Sequence, residues 1–407
     1  MRVVVALEDR FLQVGENFYS HNLGYESFWK RYTKVFDSLA IICRVTVGES
    51  IPKGWEIVNR EGVEVAALPE YRGPYQYLKQ RHNIHRIIHE TLQMDDTIIL
   101  RVSGNISNQV WQQLPTGYPF GVEVVSDPWN SFARGNVRTI GRPYFRWQFT
   151  RILKKQCQQA SAASYVTEHA LQQCYPANKN AYTTHYSSID LNSEDLKDDV
   201  SQRLAAISTI PERLVGNGPP VRLGFIGSFS QIHKLPHVHI KAIAQCIAKG
   251  ANLEFEMIGD GKYLNNMKML AKRLGVEGRV TFRGALPAGK HIFDAIDTFD
   301  LFLNATAAEG LSRVIVEAMS RGCPCIASNV GGTSELLEQN QLVPAGDVKA
   351  LAEAILRVLS DPKSMAKITE RNVRIARNYC SDVLGPRRQQ FYAELRRRTE
   401  KYLFSKS

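Results

Sequence analysis

The sequence predicts an α/β protein of two domains, each built on a parallel sheet that helices cover. Strand-like apolar runs alternate with amphipathic helix patterns, and the alternation occurs in two series separated by a turn-rich stretch. At 407 residues the chain has room for two hydrophobic cores. Its composition, 44% hydrophobic and 22% charged, is typical of globular proteins.

The first series defines a domain over residues 1–212. Strands are predicted at 2–7, 39–47, 97–102, 118–125 and 164–167, and helices at 25–36, 74–92 and 142–160. Residues 9–22 are expected to form a loop after the first strand. The pattern thins between 190 and 220, where turn-forming residues accumulate, and this stretch is interpreted as the domain joint.

The second series defines a domain over residues 213–385. Strands are predicted at 221–226, 254–258, 279–282 and 298–304, and helices at 236–248, 263–274 and 311–320. The remaining residues, 386–407, are predicted to form a helix with apolar positions at 391, 392, 395 and 402.

Several protein classes are excluded by composition. No apolar run approaches the roughly 20 residues that cross a bilayer, and the start of the chain turns acidic too early for a signal peptide. The seven cysteines are an odd number without metal-ligand spacing and are expected to be reduced. A cytoplasmic protein is therefore expected.

The net charge of +11 is unevenly distributed. Residues 128–167 contain seven basic side chains, among them Arg134 and Arg138, and no acidic one, and the tail after 381 is also basic. The helix at 142–155 combines basic residues with aromatic ones, so peripheral contact with an anionic membrane is one interpretation. A sheet-covering helix with a solvated basic face is the other. Nucleic acid is not expected, because no binding motif is present.

Two glutamates eight residues apart suggest where chemistry occurs. Glu309 precedes the helix predicted at 311–320, and Glu317 lies on it. At about 1.5 Å rise per residue their separation along the axis would be roughly 12 Å. The N–H groups of Gly310, Leu311 and Ser312 could receive a diphosphate, while one carboxylate binds hexose hydroxyls and the other ribose hydroxyls. Alternatively, Glu317 is an ordinary solvated helix residue.

The residues that follow make this stretch more specific. A glycine and a proline end the helix, a strand follows, and a Gly-Gly turn opens another helix that contains a third glutamate: Gly322, Pro324, Gly331, Gly332 and Glu335. The run 309–335 closely resembles the signature of the family 4 (GT4) glycosyltransferases, retaining enzymes of the GT-B fold. The resemblance implies two Rossmann-like domains facing a central cleft, with the C-terminal helix crossing back to the N-terminal domain.

The resemblance also implies roles for the glutamates. Glu309 should bind the sugar hydroxyls and Glu317 the ribose, while Glu335 should hold the Gly-Gly turn or touch the phosphate. The resemblance is strong over residues 221–360 and weak in the first domain. It therefore predicts how the sugar donor is bound, but it says little about the acceptor, which the first domain is expected to bind.

The phosphate-binding loop departs from the family pattern. The family usually has an arginine directly after the glycine that corresponds to Gly227, and this chain has Ser228 there. Lys234, one residue later than usual, remains the candidate for the diphosphate, with a solvated lysine as the alternative. Arg313 could supply the missing guanidinium, and an ordinary surface ion pair is an equal alternative.

Other candidate positions are loops at strand ends. Gly259 and Arg283 match places where the family's loops meet the nucleotide, although ordinary turn residues would look the same. In the first domain many relatives carry a histidine that contacts the transferred sugar. Asp127 is the nearest polar residue here and is a candidate for binding sugar or acceptor, with a simple Asp-Pro turn as the alternative.

The implied reaction is transfer of a hexose from a nucleoside diphosphate sugar to a sugar or lipid-linked oligosaccharide in polysaccharide biosynthesis. A UDP-sugar is the expected donor, with a GDP- or ADP-sugar as the alternative. The expected route is front-face substitution with retention, in which Lys234 steadies the leaving diphosphate. No Asp-x-Asp occurs in the chain, so neither metal nor another cofactor is expected. A nucleotide-sugar 2-epimerase and an inactive nucleotide-sugar-binding partner subunit are the alternatives.

Overall fold

The computed structural model describes residues 1–133, 141–216 and 218–406. Arg134 and Arg138 of the basic stretch lie outside the described residues. Within them the strands are β1 (Arg2–Val14), β2 (Asn17–Ser20), β3 (Ser38–Val47), β4 (Glu56–Ile57), β5 (Val63–Pro69), β6 (Thr97–Val102), β7 (Phe120–Val124), β8 (Ala162–Tyr165), β9 (Tyr182–His185), β10 (Val221–Ile226), β11 (Leu253–Ile258), β12 (Val280–Gly284), β13 (Leu301–Asn304), β14 (Cys325–Ser328) and β15 (Leu342–Val343).

The helices are α1 (Lys30–Thr33), α2 (Gly73–Thr91), α3 (Asn105–Gln113), α4 (Pro128–Ser131), α5 (Arg142–Gln159), α6 (Ala170–Cys174), α7 (Ser201–Ser208), α8 (Ile210–Leu214), α9 (Pro236–Ala248), α10 (Leu264–Arg273), α11 (Lys290–Asp297), α12 (Arg313–Ser320), α13 (Thr333–Leu336), α14 (Val348–Leu359), α15 (Pro362–Ala376) and α16 (Ser381–Phe404). No described helix is long and apolar enough to span a membrane.

The described residues fall into two compact units. The first comprises Met1–Pro128, Trp147–Tyr186 and Gly385–Ser407, and the second comprises Trp129–Arg146 and Ser187–Leu384. Residues 187–212, which sequence patterns assign to the first domain, thus belong to the second unit. The buried side chain of Arg203 on α7 explains this, because it donates hydrogen bonds to the Phe299 and Arg321 carbonyls at 2.6 and 3.0 Å.

The first unit is built on a parallel sheet in the order β5-β3-β1-β6-β7-β8-β9. β6 and β7 are buried along nearly their whole length, and β1 and β3 over most of their first halves, as expected of a sheet covered on both faces. Residues 9–22 are not the expected loop: β1 runs on to Val14 and pairs antiparallel with β2. Gly15 makes this hairpin possible, because its φ of +62° suits glycine.

The C-terminal helix belongs to the first unit from Gly385 onward, which confirms the expected return of the last helix. Its apolar side, with Phe391 and Leu395, is fully buried. The helix approaches β7 so closely that a Cβ at Gly121 would lie 2.7 Å from Leu395 Cδ2. On its polar side, Arg398 donates to the Ser161 carbonyl at 2.8 Å.

The second unit has a six-stranded parallel sheet in the order β12-β11-β10-β13-β14-β15. After β10 the chain adds β11 and β12 on one side, then crosses over and adds the remaining strands on the other side. In such sheets ligands bind beyond the carboxyl ends of the strands at the point where the order reverses. The fold therefore directs attention to the loops after β10 and β13.

Candidate active site

The loop after β10 is shaped by contacts between backbones. Gly227 donates its N–H to the Ile258 carbonyl at 2.9 Å, and Gly259 donates to the Gly284 carbonyl at 2.9 Å. Gly259, at φ +146°, lies so close that a Cβ would be 2.0 Å from the Gly227 oxygen. The two glycines thus hold the ends of β10 and β11 together, a packing role that a side chain would abolish.

Ser228, which replaces the family's arginine, stabilises the turn. Its hydroxyl accepts a hydrogen bond from the Ser230 N–H at 3.1 Å, as serine does in loops. It carries no charge that could take over from the arginine. The following residues lead to Lys234 and then to Leu235, whose φ of +45° is unusual for a residue with a side chain.

Lys234 and Glu309 are brought into direct contact. Lys234 Nζ lies 2.6 Å from Glu309 Oε2, and each side chain is only 18% exposed. Their loops are joined by further bonds, since the His233 carbonyl accepts from the Ala307 N–H at 2.7 Å and from the Thr306 hydroxyl at 2.9 Å. The two sequence-predicted residues therefore share one site at the switch point of the sheet.

A buried histidine that the sequence analysis did not identify ties these loops together. His239 Nε2 accepts a hydrogen bond from the Ala305 N–H at 2.9 Å, so its Nδ1 carries the proton that it donates to the Leu235 carbonyl at 3.1 Å. The ring packs against Phe225 and Phe255. Burial lowers the pKa of His239 to about 3, so the ring is neutral at physiological pH. No motif indicated it, because both partners are backbone groups.

Three backbone N–H groups beside Glu309 have no protein acceptor in the described part of the chain. They belong to Gly310, Leu311 and Ser312, all of them buried residues. N–H groups at the start of a helix have no partner within the helix, so this segment offers backbone donors to a ligand. The Ser312 hydroxyl accepts from Asn304 Nδ2 at 2.9 Å, which fixes the segment against the end of β13.

Helix α12 starts two residues later than predicted, at Arg313. The helical rise therefore applies only from Arg313 to Glu317, so the basis of the estimate of roughly 12 Å between the two glutamates does not hold for residues 309–312. Ser312 is the N-cap residue, so the unpaired N–H groups immediately precede the positive end of the α12 dipole. Arg313 is exposed at the first helical position.

The Gly-Gly turn packs directly against the backbone of the Glu309 loop. Gly332 donates its N–H to the Gly310 carbonyl at 2.7 Å. Gly331 has φ +53°, and a Cβ there would be 2.1 Å from the Glu309 carbonyl oxygen. The close approach at Gly331 explains the glycine at that position, whereas Gly332 contributes through its backbone N–H. Glu335 is half-buried on α13, one turn beyond them.

Glu317 is half-buried on α12, and its carboxylate accepts no hydrogen bond from any described residue. Burial raises the pKa of the Glu317 carboxyl, and the charge of Arg313 only partly offsets this. Arg283 differs from the other predicted residues: it lies within β12, is 46% exposed and forms an ion pair with Glu256 at 3.2 Å.

Asp127 lies in the first unit, beyond the end of β7. It is buried, and its carboxylate accepts a hydrogen bond from the Tyr175 hydroxyl. A buried carboxylate with a phenol partner is more constrained than the side chain of an exposed Asp-Pro turn. Its role in substrate binding stays a prediction.

Comparison with known proteins agrees with this site. A family model described as glycosyl transferases group 1 matches residues 220–361, which span the switch point and the Glu309 loop. Staphylococcus aureus protein CapJ is 26% identical over 386 residues, which cover 89% of this chain and 90% of CapJ.

Two solved structures share the fold over the full length of both chains. Sucrose-phosphate synthase from Thermosynechococcus elongatus has a TM-score of 0.66 at 16% identity. Anabaena HepE, solved in complex with UDP-glucose, has a TM-score of 0.58 at 18% identity. The chain is therefore a glycosyltransferase of the GT-B fold. The group 1 match lies within its second unit, which agrees with the resemblance of residues 309–335 to the family 4 glycosyltransferases.

Proposed function

We propose that this glycosyltransferase transfers a hexose from a UDP-sugar to a saccharide acceptor and retains the anomeric configuration. The observation that carries the proposal is the set of backbone N–H groups of the buried residues 310–312, which have no acceptor among the described residues and lie next to a lysine and a helix N-terminus. Donors in this arrangement suit the negative charge that develops on a departing diphosphate. UDP is chosen because HepE was solved with UDP-glucose.

In the proposed step, the bond between the anomeric carbon and the diphosphate oxygen breaks while the acceptor oxygen bonds to the same face of that carbon. The acceptor proton passes to the departing diphosphate, so UDP leaves and no separate base is needed. Lys234 and the N–H groups of Gly310, Leu311 and Ser312 stabilise the leaving group. No step requires a metal, and activity should survive EDTA.

The glutamates divide the rest of the donor between them. We assign Glu309 to the hexose hydroxyls, because it lies beside the diphosphate donors and is oriented by Lys234. We assign Glu317 to the ribose, because its half-buried carboxylate has acceptor capacity that no described residue uses. Ribose hydroxyls would satisfy it. Glu335 then supports the Gly-Gly turn, and Asp127 is assigned to the acceptor.

A lipid-linked oligosaccharide is our proposed acceptor, reached at the cytoplasmic face of a membrane. Helix α5 supports this, because Tyr144 and Trp147 are 56% and 52% exposed on a helix rich in arginine and lysine. Sedimentation with anionic and with zwitterionic vesicles tests the contact. Trp147→Ala should weaken binding to the anionic vesicles severalfold, and unchanged binding would contradict the membrane assignment.

One assay tests the proposed function directly. The full-length protein is incubated with UDP-, GDP- and ADP-sugars, with and without a saccharide acceptor, while nucleotide release, product stereochemistry and the shift in melting temperature are recorded. Release of UDP that depends on acceptor, with a retained anomeric centre, supports the proposal. Consumption of donor without acceptor would favour the 2-epimerase, and a melting shift without turnover would favour the inactive binding subunit.

A further inference from the structure

Leu235 follows Lys234 directly and holds a backbone conformation that its side chain and its neighbour both disfavour. Its φ and ψ are both 45°, which is the left-handed region, and no other non-glycine residue in the described ranges has a positive φ. For a residue with a side chain this conformation costs free energy. Pro236 comes next, and a residue before proline is normally extended. Leu235 is therefore strained, and the residues around it must hold it in place.

Two hydrogen bonds fix the Leu235 carbonyl. It accepts from the Val238 N–H at 2.9 Å and from His239 Nδ1 at 3.1 Å. The first bond needs only the backbone of α9, whereas the second needs the imidazole. His239 is itself anchored, because its Nε2 accepts from the Ala305 N–H at 2.9 Å and its fully buried ring packs against Phe225. The imidazole thus ties the Leu235 carbonyl to the end of β13.

Lys234 lies between two anchored backbone groups. On one side the His233 carbonyl accepts from the Ala307 N–H at 2.7 Å, and on the other side is the fixed carbonyl of Leu235. From this position Lys234 Nζ reaches Glu309 Oε2 at 2.6 Å. Helix α9 is packed in the core of the second unit. A change in the Leu235 dihedral angles would therefore displace Lys234 rather than the helix.

On the basis of the proposed function, we propose that His239 and Leu235 are positioning residues that act through Lys234. Neither side chain touches the donor. His239 keeps Leu235 in the left-handed conformation, so that Lys234 Nζ faces the diphosphate before the donor binds. Without the imidazole, Leu235 relaxes towards an extended conformation for part of the time. The affinity for UDP then falls in proportion to the population of the competent loop.

UDP titrations test whether His239 acts through Lys234. His239→Phe should weaken UDP binding about tenfold, the factor expected when a left-handed residue is released. In the Lys234→Met background the same change should leave UDP affinity unaltered, because the group through which it acts is gone. Ile243→Ala removes a buried side chain from the same helix and should lower the melting temperature but keep UDP affinity. Equal losses in both lysine backgrounds, a loss in neither, or the same loss in Ile243→Ala would overturn the proposal.

Leu235→Gly and Leu235→Ala form a matched pair for the backbone conformation. Both remove the side-chain atoms that pack against the core, while only glycine adopts the left-handed conformation freely. In the His239→Phe background Leu235→Gly should recover most of the lost UDP affinity, and Leu235→Ala should recover none. Equal affinities of the two double variants would show that the Leu235 conformation does not position Lys234.

A measurement without ligand separates these roles from the proposed function. Acetic anhydride acetylates amines, and mass spectrometry gives the rate at Lys234, whose side chain is 18% exposed beside Glu309. His239→Phe should raise this rate severalfold and added Leu235→Gly should reverse the rise, while exposed Lys249 keeps its rate as internal control. If the wild type used no donor, the proposed function would fail and the labelling would still decide the positioning roles. Equal rates at Lys234 in all three proteins would overturn them.

Discussion

Lys234 Nζ lies 2.6 Å from Glu309 Oε2, although 75 positions separate the two residues in the chain. The contact positions a cation for the diphosphate and a carboxylate for the sugar side by side. Each orients the other before the donor arrives, which reduces the cost of organising the site during the reaction. It also means that a change in either residue affects both stability and activity.

The first prediction separates those two effects. Lys234→Met and Glu309→Gln should each destabilise the protein by about 1–2 kcal/mol, because a mostly buried charge loses its partner. The double variant should be less destabilised than the sum of the two. In assays, Lys234→Met should weaken UDP binding about tenfold or more, whereas Glu309→Gln should keep UDP binding and lose turnover about 100-fold.

Urea unfolding and isothermal titration with UDP measure these quantities. Additive stability effects would mean that the ion pair contributes nothing to the unliganded protein. Wild-type turnover in Glu309→Gln would remove this residue from the reaction.

A second prediction concerns Glu317, where stability and function should change in opposite directions. A carboxyl whose pKa is raised on folding contributes stability below its unfolded pKa and loses it as pH rises through the folded pKa. Above its unfolded pKa the Glu317 carboxyl therefore costs stability, and at pH 7 Glu317→Gln should raise the melting temperature of the unliganded protein. The same change should weaken UDP binding about 10- to 100-fold, since a hydrogen bond to a charged group is lost.

Glu254→Gln on β11, an exposed glutamate of the same unit, is the matched control and should alter neither quantity. Differential scanning fluorimetry and UDP titration provide the comparison. Unchanged UDP affinity in Glu317→Gln would contradict the ribose assignment.

Local patterns in the sequence predicted much of the second unit. The buried strand before Glu309, the helix that carries Glu317 and the Gly-Gly turn depend on near neighbours, and periodicity detects those. The start of α12 was placed too early, because the residues after Glu309 are held by Asn304 and Gly332 rather than by helical bonds. Arg203 likewise assigns α7 to the second unit through carbonyls about a hundred residues away, which no local pattern reveals.

A third prediction tests the close packing beneath the Glu309 loop. Gly331→Ala should reduce kcat at least tenfold and lower stability by more than the roughly 1–2 kcal/mol of a left-handed alanine, because the new Cβ would meet the Glu309 carbonyl at 2.1 Å. Gly275→Ala is the matched control: its φ is +68°, and no atom lies within 4 Å of a Cβ there. Gly275→Ala should cost about 1–2 kcal/mol and keep its kcat. Equal effects of the two substitutions on kcat and stability would show that the contact with Glu309 is unimportant.

The last prediction uses His239 as a reporter of the joint between the two loops. Its pKa is about 3 when folded and about 6.5 when unfolded, so between these values the unfolded chain binds the extra proton. The contribution of His239 to the free energy of unfolding is fully present above pH 6.5. It should fall by about 1.4 kcal/mol per pH unit as the pH decreases towards 3. His239→Phe should remove that slope but lower stability at pH 7, because the Ala305 N–H loses its acceptor.

Urea unfolding at several pH values, with exposed His291→Gln as control, measures the slope. A wild-type slope in His239→Phe would mean that other groups cause the acid sensitivity and that His239 is not the neutral link between Leu235 and Ala305.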